Sequence, residues 1–238
     1  MKETIQLGEV SIAVTRKDIK NVHLSVHPPY GRVTLSAPKA TRLEVARAYA
    51  ISKLGWIREQ QKKLTNQARE TPRQFVNRES HSLWGRRHLM TVVHRNTKPF
   101  VALDHRRIVL TVRPGSDAAK RAEVIHEWHK ALLHEVVPVL IQKWERKLNV
   151  EVRGYFLQRM KTKWGSCNHR AGHIRLNTEL VKKPKDLLEY VVIHEMAHLI
   201  EPTHSDRFIG ILEAQYPTWR EARAELNELP LTAEVWNE

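Results

Sequence analysis

The 238-residue chain has a single cysteine, Cys167, so no disulfide can form within it, and a reducing compartment, the cytoplasm, is the expected location. No apolar run approaches the ~18 residues that span a membrane, so a membrane protein is not expected. The opening stretch, MKETIQLGEVSIAV, holds one lysine and no apolar segment with a small-residue cleavage site, which argues against a secretory signal. There is no glycine-rich phosphate loop, no acidic cluster suited to magnesium, no evident repeat and no low-complexity segment. Acidic residues are few beside the basic ones, 26 against 40, and the formal net charge is +14. Such a surface suits phosphates or acidic partners, which makes nucleic acid or nucleotide contact one reading. The positive charge is nonetheless spread from Arg16 to Arg223, and no nucleic-acid motif accompanies it. What remains is a globular composition, 41% hydrophobic and 28% charged, long enough for one large domain or two small ones.

The chain alternates between two periodicities. Apolar and polar residues alternate near residues 5–7, 10–15, 23–26 and 32–36, which predicts strands, and PPYG at 28–31 predicts a hairpin turn between the last two. From Thr41 the period becomes helical through RLEVARAYAISKLGWIREQQKKL, with Thr41 and Glu44 placed as a capping box. After a polar loop at 66–80, HSLWGRRHLMTVVH and FVALDHRRIVLTVRP return to strand-like alternation. A long helix is expected from Asp117 to Leu148, kinked or divided at Pro138. Short strands near 154–157 and 173–177 precede a helix around residue 194, and two helices interrupted at Pro217 close the chain. The fold class is therefore α+β, a strand-rich N-terminal half (residues 1–115, with one long helix) and a helical C-terminal half (residues 116–238).

Within VVIHEMAHLIEPTH (residues 191–204), three histidines and a glutamate stand inside one of the most apolar runs of the chain. Burying titratable groups is costly unless each has a partner. His194-Glu195-x-x-His198 is an H-E-x-x-H motif; His126-Glu127 and His134-Glu135 begin alike, but Lys130 and Pro138 stand where a second histidine is needed. Because an accidental match would occur in roughly one chain of this composition in fifteen, the context has to decide. On a helix His194 and His198 project about 40° apart and can grip one ion, with Glu195 about 100° to the side, facing a bound water. A catalytic zinc usually takes three protein ligands, and His204, six residues after His198, can supply the third once Glu201-Pro202 turns the chain. The histidine spacing equals that of the metzincin signature, but Glu201 replaces its glycine and no methionine follows Met196 to make a Met-turn.

Further ordered segments carry a resemblance. RMKTKWGSC (159–167), GHIRLNTEL (172–180), YVVIHEMAHLIEPTHSDRF (190–208) and YPTW (216–219) occur in that order. With them the sequence resembles the YgjP-like metallopeptidase domain family, related to the SprT and WLM zinc peptidases. The resemblance implies a minimal zincin, gluzincin-like core in residues 116–238. It also implies one zinc ion per chain on His194, His198 and His204, Glu195 as catalytic base, and peptide or protein substrates.

The expected activity is hydrolysis of an amide bond by a metal-activated water. Two alternatives stay open: a metal-dependent pyrophosphatase acting on nucleotide phosphoanhydrides, and a protease brought to DNA by its basic surface. His173–Asn177 is expected to be an edge strand that holds an extended peptide, with His173, Arg175 and Asn177 as substrate contacts. Lys163 and Trp164 are expected in the cleft wall, with Gly165 allowing close backbone approach. Arg159 and Lys163 are both candidates for the oxyanion, Glu201 or Asp206 for orienting a ligand histidine, and Cys167 for simple packing.

Overall fold

The computed structural model describes residues 3–27, 31–66, 73–160 and 163–228, which fall into two compact units, one within residues 1–68 and one within residues 69–234. The fold is mixed α+β, as its periodicities predict.

In the first unit, β1 (Glu3–Leu7), β2 (Val10–Lys17), β3 (His23–His27) and β4 (Arg32–Pro38) form a sheet in the order β1-β2-β4-β3. The outer pairs are antiparallel and the central β2/β4 pair is parallel. Val10, Ile12 and Val14 on β2 and Val33, Leu35 and Ala37 on β4 are buried at every second position, the period that a one-sided sheet requires. Ala46, Ala50 and Ile57 of the following helices complete that core. Where one helix was expected there are two, α1 (Leu43–Ser52) and α2 (Leu54–Asn66), broken at Lys53, whose N–H bonds the Ala50 carbonyl. The expected capping box is absent. Arg42 is the N-cap and uses no side chain, while Thr41 is held in the turn leaving β4 by its N–H to the Pro38 carbonyl at 3.0 Å and by Arg16 Nη1 on its own carbonyl. β3 and β4 pair as the expected hairpin; residues 28–30 of its turn lie outside the described residues.

The second unit opens with β5 (Ser80–Leu83), β6 (Arg86–His94), β7 (Phe100–Asp104) and β8 (Arg107–Val112), in the order β5-β6-β8-β7. Again the outer pairs are antiparallel and the central pair parallel. The two sheets thus share one topology although no repeat is visible in the sequence. What recurs is alternation and hairpin pairing, which many different residues satisfy. Helix α3 (Ala118–Leu148) then runs unbroken, its Asp117 cap accepting from Lys120 N–H. Pro138 does not divide it. The residue lies on the exposed side, where the carbonyl it leaves unpaired can meet water, and the buried stripe Ile125, His129, Leu133, Val137, Ile141, Trp144 and Leu148 passes by it.

Ile125 of α3 joins the core of the β5–β8 sheet, and Leu133 onward joins a second core shared with the C-terminal elements. A boundary at residue 115 therefore falls inside this unit, between two elements that pack together. Three short strands follow, β9 (Gly154–Gln158), β10 (Gly165–Asn168) and β11 (His173–Asn177), in the order β10-β11-β9. Helices α4 (Lys185–Ala197), α5 (Asp206–Gln215) and α6 (Trp219–Glu228) complete the unit, the last two parted at Pro217 as expected. Trp84 and Gly85, both at positive φ, make the two-residue turn of the β5/β6 hairpin. Their N–H groups bond the carbonyls of Val181 and Lys182, and a side chain on Gly85 would strike Pro184 at 2.8 Å, so the hairpin tip abuts the start of α4. Among the described residues, no helix is long and apolar enough to cross a membrane.

A buried polar group sits beside this joint. Glu179 and Lys182 pair at 2.6 Å, Glu79 and His81 at 2.9 Å, and His129 is buried with no partner for Nε2. Burial, then the charge of Lys182, pushes the His129 pKa from 6.5 down to about 3. Below pH 6.5 the unfolded chain therefore binds a proton that the folded chain refuses, and stability falls as the pH drops towards about 3. Burial of Glu179, the largest single influence, acts to raise its pKa, but the charge and hydrogen bond of Lys182 together with the charges of His129 and Arg159 make the net shift downward. Its contribution, present above pH 4.5, is lost on further acidification, in the same direction. His129→Leu is expected to flatten the loss of stability between pH 6.5 and 4.5, read as the thermal midpoint against pH; an unchanged slope would clear His129 of this role.

Candidate metal centre

Helix α4 begins at Pro184, with Asp186 in its first turn, and nine of its thirteen residues are buried. It ends earlier than its Glu-Pro signal predicts: His198 is the C-cap, and tight turns from Leu199, Ile200 and Glu201 N–H groups back to Met196 and Ala197 carry the chain away. The connection reverses through Pro202 to His204. Ser205 then caps α5, its hydroxyl accepting from Phe208 N–H at 3.4 Å. This short return brings His204 back over the two histidines of the helix.

One ring nitrogen from each of His194, His198 and His204 lies within 4.8 Å of the others. His194 Nε2 and His204 Nε2 are 3.2 Å apart. A tetrahedral ion with metal–nitrogen bonds of about 2.0–2.1 Å sets its ligands about 3.3 Å apart, so this pair stands along one edge of such a site. His198 Nδ1 lies 3.1 Å from the Glu201 carbonyl, which can only accept; Nδ1 therefore carries the proton and Nε2 is left free as a ligand. Burial, with His198 and His204 as neighbours, lowers the His194 pKa to about 3, which keeps its ring neutral. Among the described residues, this is the one group of three or more His, Cys, Asp or Glu side chains able to hold a metal. The donor set and its spacing fit a divalent transition ion.

Phe208 is the backing of the triad, and sequence reasoning gave it no role. It is 2% exposed, stacks on His198 at 4.5 Å and meets His194 and His204 edge-on at 5.0 and 4.8 Å. Its position four residues after His204, on the first turn of a capped helix, was the available signal. Tyr190, one turn before His194, packs against that ring at 5.8 Å and also borders the cavity.

Glu195 is 6% exposed, and burial raises its pKa to about 8 against the opposing charge of Lys163. Its carboxylate fits under Gly165 of β10. A Cβ at Gly165 would stand 2.5 Å from Glu195 Oε1, so only glycine leaves room for it. Cys167 lies on the same strand; burial, then Glu195, pushes its thiol up to about 11, so it is protonated at neutral pH and suits packing rather than attack.

The triad and Glu195 open onto a cavity of about 610 Å³, within the range of small-molecule and peptide sites. Lys163 and Trp164 line it, as expected. Trp164 is braced by the Lys183 ammonium 5.4 Å from its ring centre. The remaining substrate contacts are corrected. β11 is the central strand, paired with β10 on one side and β9 on the other, so His173–Asn177 has no free edge for a peptide. His173 and Arg175 pack on Phe156, and neither lines the cavity. Asn177 is 1% exposed and binds the backbone of Met160, Lys163 and Glu179; it holds the segment that presents Lys163 rather than touching substrate. Arg159 does not line the cavity either; its charge is felt by His126 and Glu179. Glu201 orients His198 through its backbone carbonyl, while its carboxylate accepts from Thr203.

His204→Ala is expected to lower bound metal well below that of the native protein, whereas Glu195→Gln keeps it, as measured by metal analysis of the purified chains. Equal metal in the native and His204→Ala proteins would remove His204 from the ligand set.

A family model, the YgjP-like metallopeptidase domain, matches residues 20–229. No curated protein matches the chain. Among solved structures, the metallopeptidase zymogen of Pyrococcus abyssi abylysin is 22% identical, over 38% of this chain and 91% of that one, with a TM-score of 0.36. The metallopeptidase zymogen of Methanocaldococcus jannaschii jannalysin is also 22% identical, over 38% and 92%, with a TM-score of 0.35. The family match takes in every element from β3 through α6, and the chain belongs to the YgjP-like metallopeptidase domain family.

Proposed function

We propose that this metallopeptidase cleaves peptide bonds at one zinc ion held by His194, His198 and His204, with Glu195 as general base. The observation that carries the reading is the convergence of three imidazole nitrogens within 4.8 Å, beside a carboxylate seated under Gly165. Zinc bound there supplies a Lewis acid that polarises a carbonyl and brings the pKa of bound water from about 15.7 to about 7. The rest of the chemistry belongs to the side chains.

Glu195 Oε accepts the proton of the attacking water and delivers it to the leaving nitrogen. Burial holds this carboxyl at about 8, and a divalent cation on the triad would draw it back towards neutrality, where it can take up and release a proton. Phe208 and the Glu201 carbonyl keep the imidazoles in place, so little reorganisation accompanies the reaction. The strand offered to an extended peptide is β10. It pairs with β11 alone among the described strands, and Gly165, Ser166 and Cys167 border the cavity. Its outer edge can hold a substrate by main-chain pairing, with Lys163 and Trp164 at the near end. Catalysis is assigned to the second unit, since all these residues lie between positions 163 and 208.

Phosphoanhydride hydrolysis gains no acidic cluster for a second ion among the described residues, and nucleic acid contact gains no support from the family. Glu195→Gln is expected to retain zinc and lose peptide hydrolysis by at least about 10²-fold, the scale of general-base contributions. Gly165→Ala should do the same by displacing Glu195, since a misplacement near 1 Å can cost about 10²-fold. Both are checked by turnover of a fluorogenic peptide alongside metal content, and native-like turnover in Glu195→Gln would exclude the mechanism.

A further inference from the structure

Two cations face the cavity without an anionic partner. Lys163 borders it beside Glu195, and Arg223 of α6 borders it beside His194 and Tyr190, both of which feel its charge. Neither side chain has an ion-pair or hydrogen-bond partner among the described residues. Arg220, one turn earlier on α6, is by contrast held by Glu213 at 2.5 Å, and Lys143 of the same unit is held by Glu189. The acidic residues of α6, Glu221, Glu225 and Glu228, do not line the cavity. Among the described residues that line it, the one carboxylate is Glu195, which is buried under Gly165 and committed to the water. A substrate entering here meets, among the described residues, two cations in separate places and no exposed acid that would compensate them.

We propose that the cleft selects acidic peptides, with Arg223 and Lys163 each accepting a carboxylate of the substrate near the scissile bond. The assignment rests on the peptidase reading and names the substrate class of the same site. Arg223 presents a planar guanidinium suited to a bidentate carboxylate, whereas Lys163, on the segment clamped by Asn177, presents a point charge. The two therefore discriminate differently, Arg223 by geometry and Lys163 by charge. A glutamine in place of the substrate glutamate keeps shape and loses charge, and a lysine meets repulsion from both positions.

The test uses the full-length, zinc-loaded chain and one fluorogenic peptide made in three forms, with Glu, Gln or Lys flanking the cleaved bond. The Glu form is expected to exceed the Gln form in kcat/KM by about tenfold, with Lys lowest and the advantage shrinking as salt rises. Arg223→Gln and Lys163→Gln should each narrow the Glu-to-Gln ratio several-fold, and Arg223→Glu should move preference towards the Lys peptide. The ratio within each variant, read beside its zinc content, separates altered selection from misfolding. Equal cleavage of Glu and Gln peptides by the native chain, or a ratio unmoved in all variants, overturns the proposal and leaves the peptidase reading standing. Turnover of a nucleoside triphosphate above that of every peptide would assign the two cations to phosphate and overturn it. Failure to cleave any peptide overturns the peptidase reading, and the proposal with it.

Discussion

The site depends on the burial of α4. A helix with nine of thirteen residues buried carries His194 and Glu195 inward with its apolar side chains, and neither can be hydrated there as it would be at a surface. The histidine responds by staying neutral and the glutamate by holding its proton towards pH 8. A neutral imidazole is a ligand, and a carboxyl poised near neutrality is a proton carrier. The chemistry of the cleft is thus a consequence of where the helix packs.

That packing constrains its neighbours. β10 crosses Glu195 at a distance that excludes even one Cβ, which makes Gly165 a steric requirement of the Glu195 carboxyl rather than a turn residue. On the other side the chain must leave the helix at His198 and return within six residues, and Ser205 starts the next helix at the point that sets Phe208 behind all three rings. Asn177, at the end of β11, ties the strand to the backbone of Met160 and Lys163 and so fixes the cavity's near rim. Each of these residues acts through another, which is why none has a motif of its own.

The sequence made the local features legible. Alternation located the strands, although β10 passed unrecognised because Gly-Ser-Cys-Asn has no alternation to read. The Asp117 cap and the Pro217 break fell where their chemistry places them. The errors concern partners. His173–Asn177 reads as a strand but not as a central one, since an edge is defined by what lies on either side. Thr41 has the residue type of a cap, yet its backbone is already engaged with Pro38 and Arg16. Pro138 weakens a helix locally, and the buried stripe from Ile125 to Leu148 keeps that helix whole. The shared order of the two four-stranded sheets was invisible because pairing is conserved by pattern, not by residue identity.

The sequence by itself determined the residue types of the candidate metal centre, their spacing along the chain, the α+β class and the excess of positive charge. Helical periodicity and side-chain chemistry suffice for these, because they act over a few residues. Only the tertiary structure decided which strand keeps a free edge, that Phe208 backs the triad, that Gly165 admits Glu195, and which cations among the described residues face the cavity unpaired. Those outcomes rest on contacts between segments far apart in the chain, where packing and hydrogen-bond partners override local preference.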